Sequence, residues 1–317
     1  MLAMAGSVAV VCALAVSSSA QAPAAGQPGG QTQGGRGGSA GPPEPTPRLA
    51  DGTPNLGRVP GEKGIWNLPY ITNFGDRVLG PDGVMPVPAR GGGGRAAGAG
   101  RGAGPLGGGE GTAGGGRGGA KSEPRVPFMP WSAAVYDYNS QNQSKYDPEG
   151  YCLPPGGPRL MATPYPMEII QLPEQKRIVM IFEGGTHIWR EIYMDGRPHP
   201  QGDALNPTYL GHSVGRWEGD TLVVDVVGFN EETWLDYYGH PHTDMLHVVE
   251  KFSRPNKNTL HYEATIDDPG AYTKSWTVAW DIPWRANAEL TEYICQENNR
   301  YLERLTDDFD QPIFKKP

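Results

Sequence analysis

The residues best suited to chemistry crowd into one stretch, Asn230 to Asp244, which carries two histidines, four carboxylates and several aromatics between two apolar runs. His240 and His242 are spaced i, i+2, so in extended backbone both imidazoles face one side, an arrangement that suits a metal. Asp244 continues that row, and His212 is the candidate fourth ligand from another loop, with a divalent metal as the implied cofactor. The same groups also read as an acid–base set, with His240 or His242 beside Asp236 forming an imidazole–carboxylate pair. Trp234, Tyr237 and Tyr238 are placed to wall a pocket there. A loop pinned by its own hydrogen bonds would use identical residues, so the reading as a structural loop stands beside the catalytic one. Gly211-His212-Ser213-Val214-Gly215 spells Gly-x-Ser-x-Gly, but a nucleophile elbow needs a strand–turn–helix context. Here Arg216-Trp217-Glu218-Gly219-Asp220 and another strand follow, which argues against a serine nucleophile.

These groups need a frame, and the chain supplies one after about residue 126. Short runs rich in β-branched and aromatic residues recur at 167–172, 177–183, 187–194, 213–217, 221–229, 246–253, 259–266, 273–281 and 290–295. Turn clusters such as Gly184-Gly185, Glu218-Gly219-Asp220 and Pro255-Asn256-Lys257-Asn258 separate them. No long helical pattern intervenes, which argues against parallel βαβ units. The expected fold is all-β. An antiparallel meander closes, or nearly closes, into a calycin-like or lipocalin-like barrel, because closure removes sheet edges. Gly64 to Ile71 reads as a first strand or arm within 61–89, and Pro130 onward as a short helix reaching about Gln143.

Alternation assigns faces. Leu260, Tyr262, Ala264 and Ile266 share one face, as do Leu246, Val248, Glu250 and Phe252. Glu191, Glu250 and Asp225 lie among apolar neighbours and suggest a barrel interior with some polar lining. Trp189, Glu191, Asp225, Trp234, Tyr237 and Glu250 are therefore the candidate ligand-binding residues. A buried carboxylate needs a partner, for which Arg190 and Arg216 are available. An ion-pair network without a ligand is the plainer alternative.

Composition sets the outer limits. The chain has 317 residues with 46 Gly and 32 Pro, concentrated in 21–60 and 90–125. Those stretches bury too little apolar surface to offset ordering entropy, so they read as a disordered linker and a disordered insertion. The remaining 126–317 would form one domain. It carries a net charge of −12 against +4 for the rest, which argues against a nucleic-acid partner. The apolar run Val8 to Val16 is too short for a transmembrane anchor, and Ser18-Ser19-Ala20 offers a cleavage site, so 1–20 reads as a secretory signal. That implies a periplasmic or secreted protein. Cys152 and Cys295 then remain as a pair, a natural disulfide in an oxidising compartment, with two buried thiols as the alternative.

Three blocks carry a resemblance. They are Asp147-Pro148-Glu149-Gly150-Tyr151-Cys152-Leu153-Pro154-Pro155-Gly156, the stretch from Gly211-His212-Ser213 to Val223-Val224-Asp225, and Glu292-Tyr293-Ile294-Cys295-Gln296-Glu297-Asn298. Together they resemble a large family of exported, functionally uncharacterised β-rich bacterial proteins, over about Asp147 to Leu305. The resemblance implies one exported β-rich domain and brings no reaction or catalytic residue with it. Three functional readings follow: a barrel binding a small, partly apolar ligand in the cell envelope, a barrel enzyme using the 230–244 loop, and an envelope interaction protein.

Overall fold

In a computed structural model the described residues are 42–85, 125–142, 145–185, 188–297, 299 and 311. The signal, residues 21–41 of the expected linker and residues 90–124 of the expected insertion lie outside them. Nine strands close into one barrel in chain order. They are β1 (Gly64–Asn67), β2 (Pro166–Leu172), β3 (Arg177–Phe182), β4 (Trp189–Tyr193), β5 (His212–Glu218), β6 (Thr221–Val227), β7 (His247–Asn256), β8 (Thr259–Asp267) and β9 (Trp276–Ala286). Among the described residues one α-helix, α1 (Pro130–Asn142), and several short 3-10 helices accompany them. Helix α1 is too short to cross a membrane, and no other described helix is long and apolar enough.

All pairings are antiparallel except β4 with β5, where Ile192 pairs with Ser213 and Tyr193 with Val214 in parallel. The simple meander is therefore interrupted once. A parallel neighbour requires the chain to return to its starting end, and the long link 194–211 makes that return. The run at 290–295 is not a strand: residues 291–294 are irregular. Closure explains this, because the short β1 pairs with both β2 and β9 and leaves no edge for another strand.

The expected faces hold on β7 and β8. Leu246, Val248, Glu250 and Phe252 point inward, as do Leu260, Tyr262, Ala264 and Ile266, all essentially without exposure. Leu222, Val224 and Val226 from β6, Met167, Met180 and Ile192 join them. Side chains with no accessible surface adjoin no space the size of a water, so the interior is filled where these residues lie. One polar network sits in it. Arg190 reaches Glu250 through two contacts, one of 3.0 Å, and donates from Nε to Ser213 Oγ at 3.1 Å, while Tyr262 donates to Glu250 at 2.7 Å. Burial works against the Arg190 cation, and Glu250 more than offsets it. Of the two arginines considered as partners, Arg190 is the one used; Arg216 pairs outside with Glu218.

The linker expected to run to residue 60 is ordered from residue 42. Leu56 is fully buried, its N–H donates to Gln171 Oε1 at 2.7 Å, and Trp66 Nε1 donates to its carbonyl at 2.7 Å. Arg254 donates to Gly57 O at 2.9 Å and lies over the Trp66 ring. Composition misleads here because one leucine and a set of backbone hydrogen bonds anchor a segment otherwise poor in apolar residues. Cys152 and Cys295 form a disulfide with Cα atoms 5.6 Å apart.

Candidate functional site

The 228–246 loop crosses one end of the barrel and is pinned there. Asp236, fully buried, accepts from Phe74 N at 2.6 Å, Gly239 N at 3.0 Å and His240 N at 3.2 Å. Asn139 of α1 donates to Gly239 O at 3.0 Å. Gly239 has φ +86°, and a Cβ there would meet the Asn139 side chain at 2.4 Å, so only glycine fits. His240 is 1% exposed. Its ring stacks on Phe128 at 5.2 Å and tilts against Tyr136 at 4.3 Å. Nδ1 lies 2.7 Å from Asp236 Oδ2, but the N–H direction is off that line, so this is a close polar contact without a well-aligned hydrogen bond. Burial alone would push the Asp236 carboxyl up. The His240 imidazole and the backbone N–H groups outweigh it and hold the carboxyl below its usual range.

His242 is buried in separate surroundings. Its Nδ1 donates to Thr243 O at 3.2 Å and its Nε2 accepts from Thr233 Oγ1 at 2.9 Å, so neither nitrogen is left for a metal. Burial pushes this imidazole below the usual range. Asp244 is exposed. The expected metal set of His240, His242, Asp244 and His212 is thus not assembled. The alternating row required extended backbone, and this loop turns instead. Of the expected acid–base set, His240 does lie beside Asp236, and His242 lies apart from both. Trp234 and Tyr237 are half-buried at this end, with Tyr237 edge-on to Tyr70 at 6.1 Å.

The remaining expected ligand-binding residues are dispersed. Trp189 is 68% exposed on the outer wall. Glu191 is also outside, paired with Arg177, and only Glu250 faces inward. Asp225 is outside too: Leu222, Val224 and Val226 take the interior, and strand alternation sends Asp225 the other way. Ser213 points inward onto Arg190, which removes it as a nucleophile.

Asp225 is nevertheless the centre of a titratable group on the outer wall. His199 Nε2 lies 3.1 Å from its Oδ1, and His247 Nε2 lies 3.0 Å from the same oxygen. His199 Nδ1 meets His212 Nδ1 at 2.8 Å. Four elements supply the four residues: the link 194–211 brings His199, β5 opens on His212, β6 carries Asp225 and β7 opens on His247. Gly211, at φ +64°, sets His212 in place; a Cβ there would meet Val227 O at 2.7 Å. Tyr193 stacks on His212 at 5.2 Å and carries the Arg197 guanidinium over its ring at 3.8 Å. Val214 and Val249 flank Asp225 in register on the same face, and Val227 follows it, all half-buried.

Hydrogen-bond roles follow from atom types. A carboxylate oxygen only accepts, so His199 and His247 each present Nε2–H to Asp225. In neutral imidazole the other nitrogen is then a lone pair, so the proton between the two Nδ1 atoms belongs to His212. That leaves His212 Nε2 and His247 Nδ1 as basic nitrogens. Burial, then His199 and Arg197, lower the proton affinity of His212. Among the described residues no three His, Cys, Asp or Glu side chains are placed to hold one metal ion, so the contacts form a hydrogen-bonded chain. Sequence reading missed His199 because it lies in a connection without periodicity. The outward parity of Asp225 was the signal that could have located the group.

The described residues thus form a closed nine-stranded barrel with buried apolar side chains inside and a histidine–aspartate cluster on its outer wall. Compared with known proteins, the chain matches no family model, no curated protein and no solved structure.

Proposed function

We propose that this is an exported protein that binds a small, partly apolar molecule on the outer wall of its barrel, at His199, His212, Asp225 and His247. The observation that carries this is convergence: two of the seven histidines in the chain contact one half-exposed carboxylate and a third contacts one of those two, on a face shared with Val214, Val227 and Val249. Val214, Val227 and Val249 offer the apolar contact, and the imidazoles offer donors and acceptors that orient a polar end. A disulfide suits an oxidising compartment, as does the resemblance of the sequence blocks to exported β-rich proteins.

The test uses 8-anilinonaphthalene-1-sulfonate, a small molecule with an apolar body and an accepting group. Wild-type protein should enhance its fluorescence saturably, and a His212→Ala/His247→Ala double variant should weaken binding at least tenfold. Trp189→Ala, elsewhere on the outer wall, should leave it unchanged. Equal affinity in wild type and double variant would place the binding elsewhere and end this reading.

A further inference from the structure

We infer that the outer-wall cluster is also a proton relay, in which His212 Nε2 is a general base and Asp225 and His199 are its positioning residues. This rests on the reading of that wall as the working site. The argument begins with the 2.8 Å contact between two Nδ1 atoms, which has room for one proton. When His212 Nε2 takes a proton from a bound O–H group or water, the His212 Nδ1 proton crosses to His199 Nδ1. The positive charge then rests on His199, whose Nε2–H already points at Asp225 Oδ1 at 3.1 Å. The carboxylate stays ionised throughout and stabilises the imidazolium, the role an aspartate plays behind a catalytic histidine. Return of the proton reverses each transfer, so the relay itself needs no oxidant or reductant.

Asp225 favours the relay cation, while Arg197 opposes it. His247 donates its Nε2–H to the same oxygen at 3.0 Å and fixes the carboxylate. Arg197, the nearest guanidinium, is paired with Asp195 at 2.6 Å and lies over Tyr193, so its charge is partly neutralised. Ser213 does not compete as a nucleophile, since it points inward. The fitting substrate class is a small molecule with a weakly acidic O–H, or an acyl compound attacked by water. In that attack the water oxygen bonds to the acyl carbon and its proton goes to His212 Nε2; the bond from the acyl carbon to the leaving oxygen then breaks, and that oxygen takes the proton from His212.

The experiment measures carbethoxylation of each histidine by diethyl pyrocarbonate in the full chain, located by peptide mass spectrometry across pH 5 to 9. His212 should react faster than free N-acetylhistidine. Asp225→Asn should cut its plateau rate at least threefold and move the midpoint of its pH profile downward, because the relay cation loses its carboxylate. His199→Gln should cut the plateau rate likewise, and Ile181→Ala, exposed on β3 away from the cluster, should change neither rate nor midpoint. Unchanged His212 rate in both Asp225→Asn and His199→Gln, and an unchanged midpoint in Asp225→Asn, with the fold intact by circular dichroism, would overturn the relay. Because sulfonate binding is read separately, loss of the relay with intact binding leaves the binding site standing, and loss of binding with an intact relay does the reverse.

Discussion

His199 Nδ1 and His212 Nδ1 lie 2.8 Å apart, and a single proton between them fixes both tautomers. With His199 Nε2–H committed to Asp225, His212 must carry its proton on Nδ1, the minority tautomer of free histidine. Nitrogen-15 NMR of histidine-labelled protein at pH 8 should therefore show a protonated Nδ1 and a bare Nε2 at His212, and the opposite at His199. The reverse assignment would mean that the two rings do not share a hydrogen bond in solution.

Arg190 and Glu250 carry the interior network, and each is 5% exposed or less. Removing one partner leaves the other as an unpaired buried charge. Glu250→Ala should cost about 3–5 kcal/mol of stability, measured by urea unfolding. Replacing both by leucine should cost less than that single change, since no charge is left buried.

The disulfide ties Cys152 to Cys295 across a separation of 143 residues. Loop-closure entropy puts its contribution at about 5 kcal/mol before any native-state strain. A Cys152→Ser/Cys295→Ser variant should lose a large part of that in denaturant melts and keep the barrel's circular dichroism. An unchanged midpoint would show that the bond constrains nothing.

What the sequence made legible follows the physics of alternation. Strand faces in β7 and β8 were readable because Leu260, Tyr262, Ala264 and Ile266 alternate strictly with polar residues, and one-sided burial needs that period. The disulfide was readable because only two cysteines lie beyond the first apolar run. Asp225 was misplaced because Val223, Val227 and Val249 make the outer wall as apolar as the inner one, so hydrophobicity no longer distinguishes the faces. The parallel pairing of β4 and β5 depends on how the link 194–211 packs, which no local pattern encodes. His199 reaches its partners through that same link. In the 230–244 loop the plainer reading describes Asp236, whose oxygens accept three backbone N–H groups.

Stability should fall on acidification in two stages. His242 is held below its usual proton affinity by burial. The unfolded chain therefore takes up a proton first as pH drops through about 6.5, and stability falls from there toward the lower folded value. Asp236 is also held low, so its contribution is full above about pH 4 and is lost as pH falls through its folded value. Melting temperature against pH should show both declines. His242→Gln should flatten the one between about pH 7 and 5 and leave the acid one in place. A wild-type profile flat across that upper window would contradict the burial account of His242.

The central claim is that the barrel works on its outside, and the location of a bound probe tests it most directly. Titrating 8-anilinonaphthalene-1-sulfonate into nitrogen-15-labelled protein should shift amide resonances of His199, His212, Val214, Asp225, Val227 and His247 and leave those of Tyr262, Ala264 and Val278 in place. Shifts concentrated on Tyr262, Ala264 and Val278, with the histidine wall unmoved, would place the ligand inside the barrel and contradict the account.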